Sequence, residues 1–123
     1  MLSKNNVKCF QRGIVEVCGN VTIGAAGAVD VTTGTGFSIA HTTTGVYTIT
    51  LDDQYQAFIA GNCNVQFYTT TSTNFDLTAQ FGLYVAADRT LVIRIWDHSG
   101  AALADPADDD SIHFNLKLQW TSV

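Results

Sequence analysis

Between Ile112 and Trp120 the chain reads IHFNLKLQW, an alternation in which Ile112, Phe114, Leu116, Leu118 and Trp120 point one way and His113, Asn115, Lys117 and Gln119 the other. A period of two is the signature of a strand with one buried face, and it offers a helix no apolar stripe. A face so apolar needs a covering layer, which predicts a strand lying deep in a sheet. No ten-residue stretch elsewhere in the chain carries helical amphipathicity, so helices cannot supply that layer. Strands must cover strands.

The other runs agree with this reading. In residues 14–23, Val15, Val17, Val21 and Ile23 alternate with Glu16, Asn20 and Thr22. Residues 24–36, rich in Gly, Ala and Thr, read as a loop. A hairpin follows in GTGFSIAHTTTGVYTITLDDQY, residues 34–55, where Phe37, Ile39 and His41, then Tyr47, Ile49 and Leu51, face the core. Its turn falls at Thr44-Gly45. Residues 52–61 break the alternation, and Tyr55, Phe58 and Ile59 at helical spacing predict one helical turn or a structured loop. Strands are expected again at 63–70, at 77–87 with Phe81, Leu83 and Val85 aligned, and at 90–98 with Leu91, Ile93 and Ile95 aligned. Asp88-Arg89 reads as a hairpin-like break, and residues 99–110 as the longest loop.

About seven strands with short connections predict an all-β fold, a single antiparallel β-sandwich or squashed barrel. At 123 residues the chain suits one domain with its own core. The expected division is a basic N-terminal arm at 1–12 and a β-sandwich at 13–123.

Charge is scarce, at 14% of residues, so the surface must be covered by Thr, Ser, Asn, Gln, Gly and Ala. Such a surface suits contact with protein better than free solution. The net charge of −5 argues against nucleic acid, which demands a basic footprint. Lys4, Lys8 and Arg12 hold half the positive charge in a segment without acids, whereas Arg89, Arg94 and Lys117 stand against all eleven acids. An arm of this kind can dock on an acidic neighbour, such as another copy of the chain. No apolar run is long enough to span a membrane, and the N-terminus lacks a signal-peptide core. Cys9, Cys18 and Cys63 are odd in number and not spaced for zinc, so free thiols in a cytosol-made protein are expected.

Little in the chain points to catalysis. Asp105, Asp108, Asp109 and Asp110 form an oxygen-rich loop of the kind that attracts calcium, but the D-x-[DN]-x-[DN]-G pattern is missing. A solvated charge cluster is the simpler account. His41, His98 and His113 come from separate strands without ligand spacing, and no G-x-S-x-G turn or phosphate loop exists. We therefore expect no enzyme and no cofactor. Tyr68, Tyr84 and Trp96 fall opposite the main apolar stripes, where they form either a second core or an interface. Tyr84 and Trp96 are expected to be neighbours across a hairpin.

The succession GNVTIGAAGAV, GTGFSIAHTTTGVYTITLDDQY, LVIRIWDHSGAALADPADDD and IHFNLKLQW resembles short virion proteins of tailed bacteriophages. Their G-x-G-F-[ST], TG-x-Y-T-[IV]-T and D-D-x-Y elements recur here in order. A D-x-x-G-x-x-x-D loop is matched by Asp97, Gly100 and Asp105 with one extra residue in its second gap. The resemblance runs from Gly19 to the C-terminus, leaves out the arm and carries no catalytic residue. It implies a capsid decoration, or cement, protein on the virion surface, made in the host cytoplasm. The implied partners are the major capsid protein and copies of itself, with a trimer as the guess. The alternative is a tail- or fibre-associated module that recognises a receptor or glycan. Lys4, Lys8, Arg12, Tyr84 and Trp96 are the candidate interaction residues.

Overall fold

The computed structural model describes residues 13–68 and 77–120. Within them nine strands run in chain order: β1 (Ile14–Ile23), β2 (Val29–Thr33), β3 (Phe37–Thr43), β4 (Val46–Leu51), β5 (Ala57–Gln66), β6 (Leu77–Val85), β7 (Thr90–Asp97), β8 (Ala102–Leu103) and β9 (Ser111–Gln119). They form two antiparallel sheets stacked as a β-sandwich. Sheet I has the order β2-β1-β9-β5, and sheet II the order β3-β4-β7-β6 with β8 attached to β7. The strand with the cleanest alternation, β9, is central in sheet I, flanked by β1 and β5.

The core is the sum of the inward faces. Ile112, Phe114, Leu116 and Leu118 of β9 meet Tyr47, Ile49, Leu51, Leu91, Ile93 and Ile95 from sheet II, all buried. One inward position of β1 is Gly19, and the Phe114 ring occupies the space a side chain would need. A Cβ there would stand 2.3 Å from Phe114 Cζ. Phe37 then packs edge-on against Phe114, with ring centres 4.9 Å apart. At the β3–β4 turn, Gly45 has φ +71° and lies against the 102–105 segment, where a Cβ would meet Ala104 N at 2.8 Å. Glycine is required there on both counts.

Several expectations need correction. Nine strands replace about seven, because residues 29–33 pair with β1 inside the supposed loop and Ala102–Leu103 pair with β7. Residues 57–60 belong to a strand rather than a helical turn. A bulge between Phe58 and Ala60 leaves Ile59 as an extra, exposed residue, and this produces the helix-like spacing. A second bulge, between Phe81 and Tyr84, reverses the end of β6: Leu83 turns outward at 73% exposure and Tyr84 turns in. The break before β7 is a four-residue connection, residues 86–89, closed by Arg89 N–H on Ala86 O. Trp120 lies beyond the end of β9 and is 46% exposed, its ring edge-on to Tyr55.

Candidate interaction surfaces

The acidic loop is a clasp rather than a solvated cluster. Asp105 Oδ1 accepts from Gly45 N–H at 2.7 Å and lies 2.8 Å from His41 Nε2, tying residues 102–110 to the β3–β4 hairpin. His41 in turn lies against the Tyr47 ring, and Tyr47 donates its hydroxyl to Gly27 O at 2.7 Å. Burial, aided by the nearby Asp105 charge, raises the Tyr47 pKa well above its ordinary value. Asp110, only 2% exposed, accepts from Tyr68 N–H and Ala107 N–H. Asp108 and Asp109 alone remain exposed. The next turn is closed by Asp97, whose Oδ1 accepts from Ser99 Oγ–H, Ser99 N–H and Gly100 N–H; the Ser99 hydroxyl first, and the Gly100 amide after it, hold its pKa below the usual value. The Asp97, Gly100 and Asp105 pattern is thus an architectural motif.

The histidines do not converge. His41 belongs to the clasp, and His98 Nε2 lies 3.0 Å from Thr78 Oγ1. His113 lies on the outer face of sheet I beside Ser111 Oγ at 3.2 Å and Gln66 Oε1 at 2.6 Å, with no carboxylate among the described residues bonded to it to orient it as a base. Among the described residues no three His, Cys, Asp or Glu side chains are grouped to hold a metal. Cys18 and Cys63 are free thiols on opposite faces of sheet I with β9 between them. Cys63 faces inward, and burial pushes its thiol up to about 11. Cys9 lies outside the described residues, as do Lys4, Lys8 and Arg12.

Tyr84 and Trp96 part company. Tyr84 pairs with Leu91 and donates its hydroxyl to Tyr55 O at 2.5 Å, so it is internal. Trp96 pairs with Thr78 and is 37% exposed on the outer face of sheet II. The outward positions around it are Ser38, Ala40 and Thr42 on β3, Val46, Thr48 and Thr50 on β4, and Thr90, Val92 and Arg94 on β7. Arg94 is the only charged residue among these and makes no ion pair within the described residues. A partly exposed Trp beside an unpaired Arg, on a flat surface of hydroxyls and methyls, has the composition of a protein-binding hot spot.

The outer face of sheet I differs. It carries Asn20, Asn62, Asn64, Gln66, His113, Asn115 and Gln119, with Glu16 and Lys117 paired at 3.8 Å. Sequence reasoning missed this surface, because the amides belong to strands far apart in the chain and only the register brings them together. Comparisons with family models, curated proteins and solved structures gave no match for this chain.

Proposed function

We propose that this chain is a bacteriophage virion structural protein of the capsid decoration type, bound to the outside of the major capsid shell through the outer face of sheet II. The observation that carries the docking surface is Arg94, the sole charge among the described outward positions of that face, without an ion pair to a described residue and beside exposed Trp96. The virion assignment is supported by the resemblance of residues 19–123 to short phage virion proteins. A cement role needs a stiff block with a reproducible surface, repeated on a lattice so that modest contacts sum. A sandwich whose outer faces carry few charges meets that need without an active site. The basic residues Lys4, Lys8 and Arg12 add attraction to an acidic neighbour, whether capsid or a second copy.

The test is binding to undecorated capsids at two salt concentrations. Trp96→Ala and Arg94→Ala should each weaken occupancy by about 2 kcal/mol, roughly 30-fold, while thermal stability stays unchanged. Removing residues 1–12 should leave the sandwich folded, weaken attachment and reduce its salt dependence. If no form binds capsids, the tail- or fibre-associated reading replaces this one.

A further inference from the structure

Asparagine is poorly suited to strands, yet Asn20, Asn62, Asn64 and Asn115 occupy outward positions on three adjacent strands, β1, β5 and β9. The fold gains little from them. Asn20, Asn62 and Asn64 make no side-chain hydrogen bond to other described residues, and only Asn115 is engaged, donating to Glu16 Oε2 at 3.0 Å and to Cys18 Sγ at 3.5 Å. Residues that break a local rule without structural return mark surfaces kept for another purpose.

The register sets these side chains in rows. Asn20, His113 and Asn64 stand abreast across β1, β9 and β5; Cys18, Asn115 and Asn62 form the row beside them, and Thr22, Ser111 and Gln66 the row on the other side. Each row spans two strand spacings, about 10 Å, the scale of a short oligosaccharide. Between Asn64, Val65, Gln66 and His113 the surface dips into a depression of about 370 Å³. Gln66 Oε1 is engaged by His113 Nε2, so its amide N–H groups remain available to a ligand.

We infer that this face binds a neutral saccharide, with Asn64, Gln66 and His113 at its centre. Side-chain amides present donor and acceptor in one plane, which matches adjacent sugar hydroxyls. The three rows themselves contain no large apolar side chain; Val31 of β2, paired with Thr22 and 54% exposed, is a single aliphatic group at their edge rather than the Trp, Tyr or Arg cluster that anchors a protein interface. Among the described outward positions of β1, β9 and β5 the only carboxylate and ammonium, Glu16 and Lys117, lie 3.8 Å apart and offset each other, so neither an anionic nor a cationic ligand is favoured there. This inference goes beyond the capsid reading, which uses the opposite sheet, and its test scores a different surface.

The experiment titrates the ¹⁵N-labelled full chain with glucose, galactose, N-acetylglucosamine and their linear oligomers, with sialic acid as the charged control. Saturable shifts of the side-chain amide signals of Asn20, Asn64 and Gln66 are expected, stronger for oligomers than for single sugars. Asn64→Ala and Gln66→Ala, both at exposed positions, should each weaken the response about tenfold without changing the backbone spectrum. The proposal is overturned if no neutral sugar gives a saturable shift, if sialic acid is preferred, or if the response survives both substitutions.

Discussion

Sheet I and sheet II share one alternation and one core, yet their outer faces carry different chemistry. Outward positions of sheet II are mainly Thr, Ser, Ala and Val around Arg94 and Trp96; those of sheet I are mainly Asn, Gln and His. The inward positions do not show this contrast, the buried ones being Val, Ile, Leu and Phe in sheet I and Ile, Leu, Phe and Tyr in sheet II. Thr and Val suit a strand, so the outside of sheet II is compatible with folding alone apart from its Arg and Trp. The Asn residues of sheet I work against the strand they occupy. Fold constraints therefore explain the inner faces and most of one outer face, and leave the amide face to be explained by what it touches.

If the inner faces are equivalent, emptying either should cost a similar amount, and this is the largest effect expected. Phe114→Ala in sheet I should destabilise by about 3–5 kcal/mol and Ile93→Ala in sheet II by about 2–5 kcal/mol, measured by urea unfolding. Both residues are at most 3% exposed. A loss below about 1 kcal/mol at either site means that its sheet contributes no real core, and the two inner faces are not equivalent.

Alkaline unfolding separates the sheets by their buried titrating groups. Cys63, under sheet I, moves from 9.0 to about 11 on burial. Tyr47, in sheet II, is raised further from its ordinary 10.0, mainly by burial, and Tyr84 is raised as well. For each group the folded pKa lies above the unfolded one, so the unfolded state releases its proton first. The stabilisation is complete below the unfolded pKa and is lost as pH climbs from there towards the folded value. Stability should therefore fall from about pH 9 upward, in a lower step removed by Cys63→Ala and an upper one reduced by Tyr47→Phe. The latter also loses the bond to Gly27 O, costing about 1 kcal/mol near neutral pH. A stability profile flat to pH 11 contradicts the burial of these groups.

What could be read in advance follows from where the alternation survives. β9, the β4 strand of the hairpin and the aligned face of β7 were legible because their buried residues alternate without interruption. β2 was not, since four of its five residues are exposed and an edge strand without a buried face has no pattern to show. The start of β5 and the end of β6 were misread at bulges, where Ile59 and Leu83 shift the phase. Trp96 was legible as an outward aromatic, but its supposed neighbour Tyr84 lies beyond such a bulge. The clasp was hidden because Asp105 finds its partners, His41 and Gly45, about sixty residues away. The amide rows were hidden for the same reason.

The smallest effect is the most direct check on the contrast between the outer faces. If Asn62 and Asn64 are held against strand preference, Asn62→Thr with Asn64→Thr should stabilise the sandwich, by up to about 1 kcal/mol. The mirror change, Thr48→Asn with Thr50→Asn on β4, should destabilise it by somewhat more. Asn62 and Asn64 are exposed with no side-chain bonds to other described residues to lose, whereas Thr48 gives up its contact with Thr42 Oγ1 at 2.7 Å, so the second pair should show the larger change. Paired thermal melts of the four-residue set read the sign directly. Should the Thr-bearing sheet I prove less stable than the natural one, the amides are structural after all. In that case the asymmetry between the two faces says nothing about a ligand.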